Sequence, residues 1–288
     1  MSGERVTVVE VGPRDGLQNE DRILPADAKV EFVELLADAG LPVVEVTSFV
    51  RPDAVPQLAD AGEVLPRIHR RPGVRYPVLV PNMRGFERAV AAGADAIAVF
   101  TAASEAFARA NIRMTVAESI EAFRPVVAAA RERGMWARGY VSTAFGCPYS
   151  GEVSTEAVVD VSLALLDLGC DEISIGDTIG VAHPDDVRRV VTALLERIPA
   201  DRLALHLHDT YGRALENVHA GLELGIRIFD ASAGGTGGCP YAPGAPGNLA
   251  TESLVGLLDE LGYDHGVDAD AVVRAATNVR ASFVAARP

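Results

Sequence analysis

Three observations predict an α/β fold of the closed (β/α)8 barrel type. Eight short runs rich in β-branched residues alternate strictly with eight amphipathic stretches of helical period. Six helical stretches end on glycine, at Ala39-Gly40, Ala92-Gly93, Arg133-Gly134, Leu168-Gly169, Leu224-Gly225 and Leu261-Gly262. Glycine is the residue that most readily takes the left-handed cap. No GxGxxG turn follows any strand, which argues against the alternative, an open doubly wound sheet. Parallel strands need crossover helices, and eight of them close the sheet on itself.

In chain order, VTVVEVG (6–12) is followed by a helix over 25–39, and VVEVTSF (43–49) by one near 53–69. RYPVLVPN (75–82) precedes 84–92, AIAVFTAA (96–103) precedes 115–133, and WARGYVSTA (136–144) precedes 154–168. EISIGDTI (172–179), RLALHLHD (202–209) and IRIFDASA (226–233) lead to helices near 184–198, 213–224 and 248–261. Such barrels run about 250 residues as one unit. The 288 residues are therefore read as a single domain, 1–288, with its barrel over 5–261 and a short C-terminal helical appendage, 262–288. No low-complexity linker or shift in composition divides it.

Composition narrows the function. Hydrophobic residues make up 49% and charged residues 23%, enough to bury a large core. Acidic residues outnumber basic ones 40 to 26, and a net charge of −14 repels phosphate backbones, so no nucleic-acid partner is expected. No apolar run reaches the roughly 18 residues of a membrane span. MSGERVTVVEVG enters a strand almost at once and leaves no room for a targeting peptide, so a cytoplasmic setting is expected. Lys29 is the sole lysine and is expected to be solvated on its helix, which argues against Schiff-base and pyridoxal chemistry. Cys147, Cys170 and Cys239 form neither a disulfide framework nor a zinc pattern.

Chemistry in this fold belongs on the loops leaving the strand C-termini. His206 and His208 lie late in strand seven and share one face, while Leu205 and Leu207 take the other. If the leucines face the helices, both imidazoles face the barrel mouth. Strand eight lies between strands seven and one, so the turn Gly12-Pro13-Arg14-Asp15-Gly16 places a carboxylate and a guanidinium nearby. Strand eight runs into a stretch with six glycines between 234 and 247, followed by Asn248. Asn248 reads equally as the N-cap of the last barrel helix or as an oxygen ligand. Asp15, His206, His208 and Asn248 would make a site of two nitrogens and two oxygens, suited to Mg²⁺ or Mn²⁺ with two positions left for substrate. Such an ion is the electrophile that C–C bond chemistry beside a carbonyl needs without a Schiff base. Cys239, in the glycine-rich run, is the candidate reactive thiol; Cys170 reads as core filler. Cys147-Pro148-Tyr149 echoes Cys239-Pro240-Tyr241 and also lies at the mouth.

The stretches VEVGPRDGLQNE (9–20), EVTSFVRPDAVPQLAD (45–60), RGYVSTAFGCPYSG (138–151), EISIGDTIGV (172–181), LHLHDTYGRALENV (205–218) and FDASAGGTGGCPYAPGAPGNLATE (229–252) closely resemble the 3-hydroxy-3-methylglutaryl-CoA lyase family. That family belongs to a metal-dependent barrel group that also includes isopropylmalate and homocitrate synthases. The synthases share the Arg-Asp turn and the HxH but lack the GGCPYAPGAPGN loop, so the loop favours the lyase. The resemblance implies cleavage of 3-hydroxy-3-methylglutaryl-CoA to acetyl-CoA and acetoacetate. It further implies metal ligation by Asp15, His206, His208 and Asn248, enolate stabilisation by Arg14, and a catalytic Cys239 on a mobile loop. Glu45, Asp177 and Glu252 match acidic residues at or near the site, and Gln18, Ser48, Tyr140, Ser174 and Thr178 match substrate-binding positions. His206, Glu45 and Asp177 are the candidates for proton transfer, and a homodimer is implied. The family often has lysine where this chain has Asp21 and Asp53, leaving arginines such as Arg51 or Arg84 for the coenzyme A phosphates. A lyase for a longer 3-hydroxy-3-alkylglutaryl-CoA, or a Claisen-type synthase, are the alternatives.

Overall fold

The computed structural model describes residues 3–237 and 247–285. The chain runs through β1 (Thr7–Glu10), α1 (Ala26–Asp38), β2 (Val43–Val44), β3 (Thr47–Ser48), α2 (Ala61–Arg67), β4 (Val78–Leu79), α3 (Met83–Ala91), β5 (Ala96–Ala102), α4 (Glu105–Ile112), α5 (Val116–Glu132) and β6 (Trp136–Ser142). It continues through α6 (Thr155–Leu168), β7 (Glu172–Asp177), α7 (Pro184–Leu195), β8 (Leu203–Leu207), α8 (Ala214–Glu223), β9 (Ile228–Ala231), α9 (Thr251–Leu261) and α10 (Ala269–Ala285).

The nine segments pair in parallel in the order β2-β1-β9-β8-β7-β6-β5-β4-β3. The two end segments are halves of one strand. Between them Glu45 N donates to Glu10 O at 2.8 Å and Val46 N to Pro77 O at 3.0 Å, so the ladder is continuous and the barrel closes with eight strands, as expected. The break marks a bulge. Val43 pairs with Val9 and Ser48 with Leu79, and all four face the barrel interior, which requires one extra residue between them. Ile97, Val99, Ile173, Ile175, Leu203, Leu205 and Leu207 point the other way, into the apolar layer beneath the helices.

Three differences from the sequence reading have physical causes. Helix α4 was not expected; Ser104 caps it by accepting from Phe107 N at 3.3 Å, a short-range signal hidden at the end of an apolar strand. The helix expected near 53–69 is confined to Ala61–Arg67, preceded by a 3₁₀ turn at Pro56–Leu58, because proline at 52 and 56 interrupts it. Lys29, expected in water, is buried where α1 meets α2. Its ammonium donates to both carboxylate oxygens of Asp60, at 2.6 and 2.8 Å, and to Gln57 O. The expected C-terminal helical segment is present as α10, packed on α1 and α9. Among the described residues, no helix is long and apolar enough to cross a membrane.

Candidate active site

β1 runs straight into one wide turn, Gly12–Gly16, in which Val11 O accepts from Asp15 N at 2.7 Å and Gly16 N at 3.2 Å. A Cβ at Gly16 would fall 2.9 Å from Thr236 O, so only glycine lets the segment after β9 approach this turn. The turn delivers Arg14 and Asp15 to the C-terminal end of the barrel. From β8, the outward leucines leave His206 and His208 facing the same opening. Their Nε2 atoms lie 3.2 Å apart, and His206 Nε2 is 4.0 Å from Asp15 Oδ2.

The donor set fits a metal ion, since ligand atoms of Asp15, His206 and His208 all lie within 4.8 Å of one another. Burial, reinforced by His206, presses His208 down to about 4, so its ring is neutral and one of its two nitrogens carries a free lone pair. Nδ1 is buried without a hydrogen-bond partner among the described residues. Burial also works against charge on His206, but the hydrogen bond and charge of Asp230 outweigh it and raise this imidazole. Asp15 is held down to about 2: Arg14 and both histidines overcome its burial.

Asn248 pairs with His208 through a backbone bridge, and its Nδ2 donates to Asp15 Oδ2 at 3.0 Å and to Thr236 O at 3.2 Å. Of its two sequence readings, the helix cap is the one overturned: α9 starts at Thr251 with Ala250 as its N-cap residue. Gln18 Nε2 also donates to Asp15, at 2.9 Å. Arg14 is fixed from two sides, with Nε on Glu45 Oε2 at 2.7 Å and Nη1 on Asp15 Oδ1 at 2.5 Å. Its Nη2 takes part in neither pair. Tyr140 donates to the same Glu45 oxygen at 3.0 Å, and Arg14 lies over its ring at 5.2 Å.

Other expected site residues are engaged elsewhere. Asp177 lies on the outward parity of β7, and its oxygens accept from Val181 N at 3.0 Å and Ala182 N at 3.1 Å. Burial pushes its carboxyl up to about 6. Thr178 Oγ1 accepts from Thr143 N at 2.8 Å, holding a residue with φ of 58°, and Ser48 Oγ accepts from Val50 N at 3.3 Å. Glu252 accepts from Gly234 N at 2.9 Å. Cys239 lies outside the described residues. Cys147 accepts from Ser104 Oγ at 3.0 Å at the mouth, whereas Cys170 is buried at the foot of the barrel, where burial pushes its thiol up to about 12.

The sequence reading missed a polar floor beneath these groups. Arg138, fully buried on β6, reaches Asp230 Oδ1 at 2.6 Å, Glu172 at 2.7 Å and Tyr140 OH at 3.1 Å. Ser174 Oγ and His206 Nδ1 meet the other Asp230 oxygen at 2.9 and 3.1 Å. Inward alternation along IRIFDASA was the available signal for Asp230. Glu10, on the outward side of β1, was also missed. It accepts from Gly12 N, Ala233 N and Thr251 Oγ1 at 2.8, 2.9 and 2.7 Å, joining three segments that carry the site.

Burial raises Glu10 from 4.5 to about 7. Between those values the folded chain holds the proton more tightly than the unfolded one. Stability from this residue is therefore present below 4.5 and falls by roughly 3 kcal/mol as pH rises to 7. Glu10→Gln is expected to flatten that slope. Urea unfolding on either side of the window checks it, and an unchanged slope would show that Glu10 does not titrate there.

Comparison with known proteins agrees with this fold. The family model described as HMGL-like matches residues 5–279. A cytoplasmic 3-hydroxy-3-methylglutaryl-CoA lyase of Homo sapiens is 52% identical over 272 residues, covering 94% of this chain and 74% of the relative. The crystal structure of the HMG-CoA lyase from Brucella melitensis superposes with a TM-score of 0.95 at 52% identity, covering 96% of this chain and 98% of the other. An HMG-CoA lyase from Acinetobacter baumannii, in complex with coenzyme A and 3-methylmalate, gives 0.92 at 40% identity over 97% of this chain and 92% of the other. This chain belongs to the HMGL-like family, as a member of its hydroxymethylglutaryl-CoA lyases.

Proposed function

We infer that the chain is a metal-dependent carbon–carbon lyase that cleaves 3-hydroxy-3-methylglutaryl-CoA to acetyl-CoA and acetoacetate. The observation that carries this reading is the convergence of Asp15, His206 and His208 beside a guanidinium pinned by Glu45. The substrate follows from the named activity of the relatives, and the coenzyme A complex of the Acinetobacter relative supports an acyl-CoA partner.

In this reading Asp15, His206 and His208 would hold a Mg²⁺ or Mn²⁺ ion, with Asn248 as the fourth residue of the set. When bound, the ion would supply Lewis-acid chemistry to the substrate. A base, for which His206, Glu45 and Asp177 are the candidates, takes the C3 hydroxyl proton as the C2–C3 bond breaks, which releases acetoacetate and leaves an enolate on the acetyl thioester. Arg14 receives that charge: its Nη2 belongs to neither of the pairs that fix the guanidinium at Nε and Nη1. Glu45 and Tyr140 keep the guanidinium in place. Asp177 shapes the loop after β7 through its two backbone bonds. The enolate carbon then takes up a proton to give acetyl-CoA, and Cys239 is the catalytic thiol by resemblance alone. A cytoplasmic setting belongs to the same proposal.

Purified protein with Mg²⁺ is expected to release acetoacetate and acetyl-CoA from this substrate, and exhaustive EDTA treatment to abolish the release until metal returns. Full activity with no metal left on the protein would sink the metal reading. Faster turnover of a longer 3-alkyl analogue would reassign the substrate. Formation of free coenzyme A from acetyl-CoA and an oxo acid would select a synthase.

A further inference from the structure

We propose that Asp230, clamped by Arg138, is a positioning residue that fixes the His206 ring with its proton on Nδ1 and its Nε2 lone pair toward the ion. The inference rests on the metal reading above. Asp230 is fully buried, and its two oxygens have divided duties. Oδ1 accepts from Arg138 Nη2 at 2.6 Å, while Oδ2 meets Ser174 Oγ at 2.9 Å and His206 Nδ1 at 3.1 Å. A carboxylate can only accept, so Nδ1 must donate, and in the neutral ring Nε2 is then left unprotonated. Nε2 is the atom that lies 3.2 Å from His208 Nε2 and 4.0 Å from Asp15 Oδ2.

Arg138 makes the arrangement one-way. A guanidinium donates and cannot accept, and this one is locked by Glu172 and Tyr140 as well. In Asp230→Asn the amide oxygen must therefore face Arg138, which turns the NH₂ toward His206 Nδ1. Nδ1 then has to accept, the proton moves to Nε2, and the ligand atom is blocked. Ser174→Ala removes one bond to the same oxygen without imposing a tautomer, since the carboxylate still accepts from Nδ1.

The test combines ring-¹⁵N histidine NMR of the metal-free protein at alkaline pH with Mn²⁺ titration followed by EPR. The wild-type chain should show His206 protonated on Nδ1, and Asp230→Asn should show it on Nε2 with Mn²⁺ affinity lowered about 10–100-fold, the range for lost outer-shell partners. Ser174→Ala should bind Mn²⁺ within about twofold of wild type, whatever its melting temperature. Wild-type His206 protonated on Nε2 would overturn the proposal even if Asp230→Asn failed to fold. Equal Mn²⁺ affinity in wild type and a folded Asp230→Asn would overturn the proposal alone. No Mn²⁺ binding by the wild-type chain would overturn the metal reading and this inference with it.

Discussion

Arg14→Gln is expected to lower kcat by a factor on the order of 10²–10⁴ while changing KM modestly, the range for a lost group that acts on developing charge. The side chain is nearly inaccessible to solvent, and two of its nitrogens are committed to Glu45 and Asp15, so Nη2 cannot wander. Charge on the thioester oxygen is slight in the bound substrate and full in the enolate, so a fixed cation stabilises the later state more than the earlier one. Glutamine is neutral and shorter. It also leaves Glu45 buried without its cation, and breaking a buried pair costs about 3–5 kcal/mol of stability. Rates must therefore be normalised to folded protein well below the variant's melting temperature. Arg14→Lys should fall between the two, because it keeps charge but loses the fork. A large rise in KM with kcat intact would recast Arg14 as a residue that binds substrate.

The barrel was legible because its signal is periodic. Each strand run is followed by a helical run, and eight repeats leave little choice of topology. His206, His208 and Asp15 were legible for a related reason: strand alternation assigns the face, and strand order assigns the neighbour. Asn248 was not decidable, because cap and ligand look alike until the helix is seen to begin three residues later. Lys29 was misread because its partner, Asp60, is 31 residues away, at the residue that precedes α2. The polar floor stayed hidden for a deeper reason. Arg138, Glu172 and Asp230 alternate with apolar residues as they would on a half-solvated strand, and only barrel closure turns their face into an interior. Once enclosed, each charge needs a partner, and the contacts from Arg14 through Glu45, Tyr140, Arg138 and Asp230 to His206 supply those partners in sequence.

This continuity means that a substitution at the site disturbs both chemistry and packing, so ligand roles are best tested where the two separate. His208 is such a position. Among the described residues its Nδ1 has no hydrogen-bond partner, so removing the ring orphans no donor there. His208→Ala should therefore cost no more than the few kcal/mol of a large-to-small core change. Metal binding should suffer far more, because one of three converging ligand atoms disappears. The loss is expected to exceed the roughly 10–100-fold typical of outer-shell changes, and turnover at limiting metal should fall with it. His219 is the matched control. It lies on α8, half-exposed, 3.5 Å from Glu223, and belongs to no metal-capable cluster among the described residues. His219→Ala should bind Mn²⁺ and turn over like the wild type. Mn²⁺ titrations and rates against metal concentration on both variants decide the matter: equal, small losses would make the HxH pair a structural element of β8 and remove the basis for the metal centre.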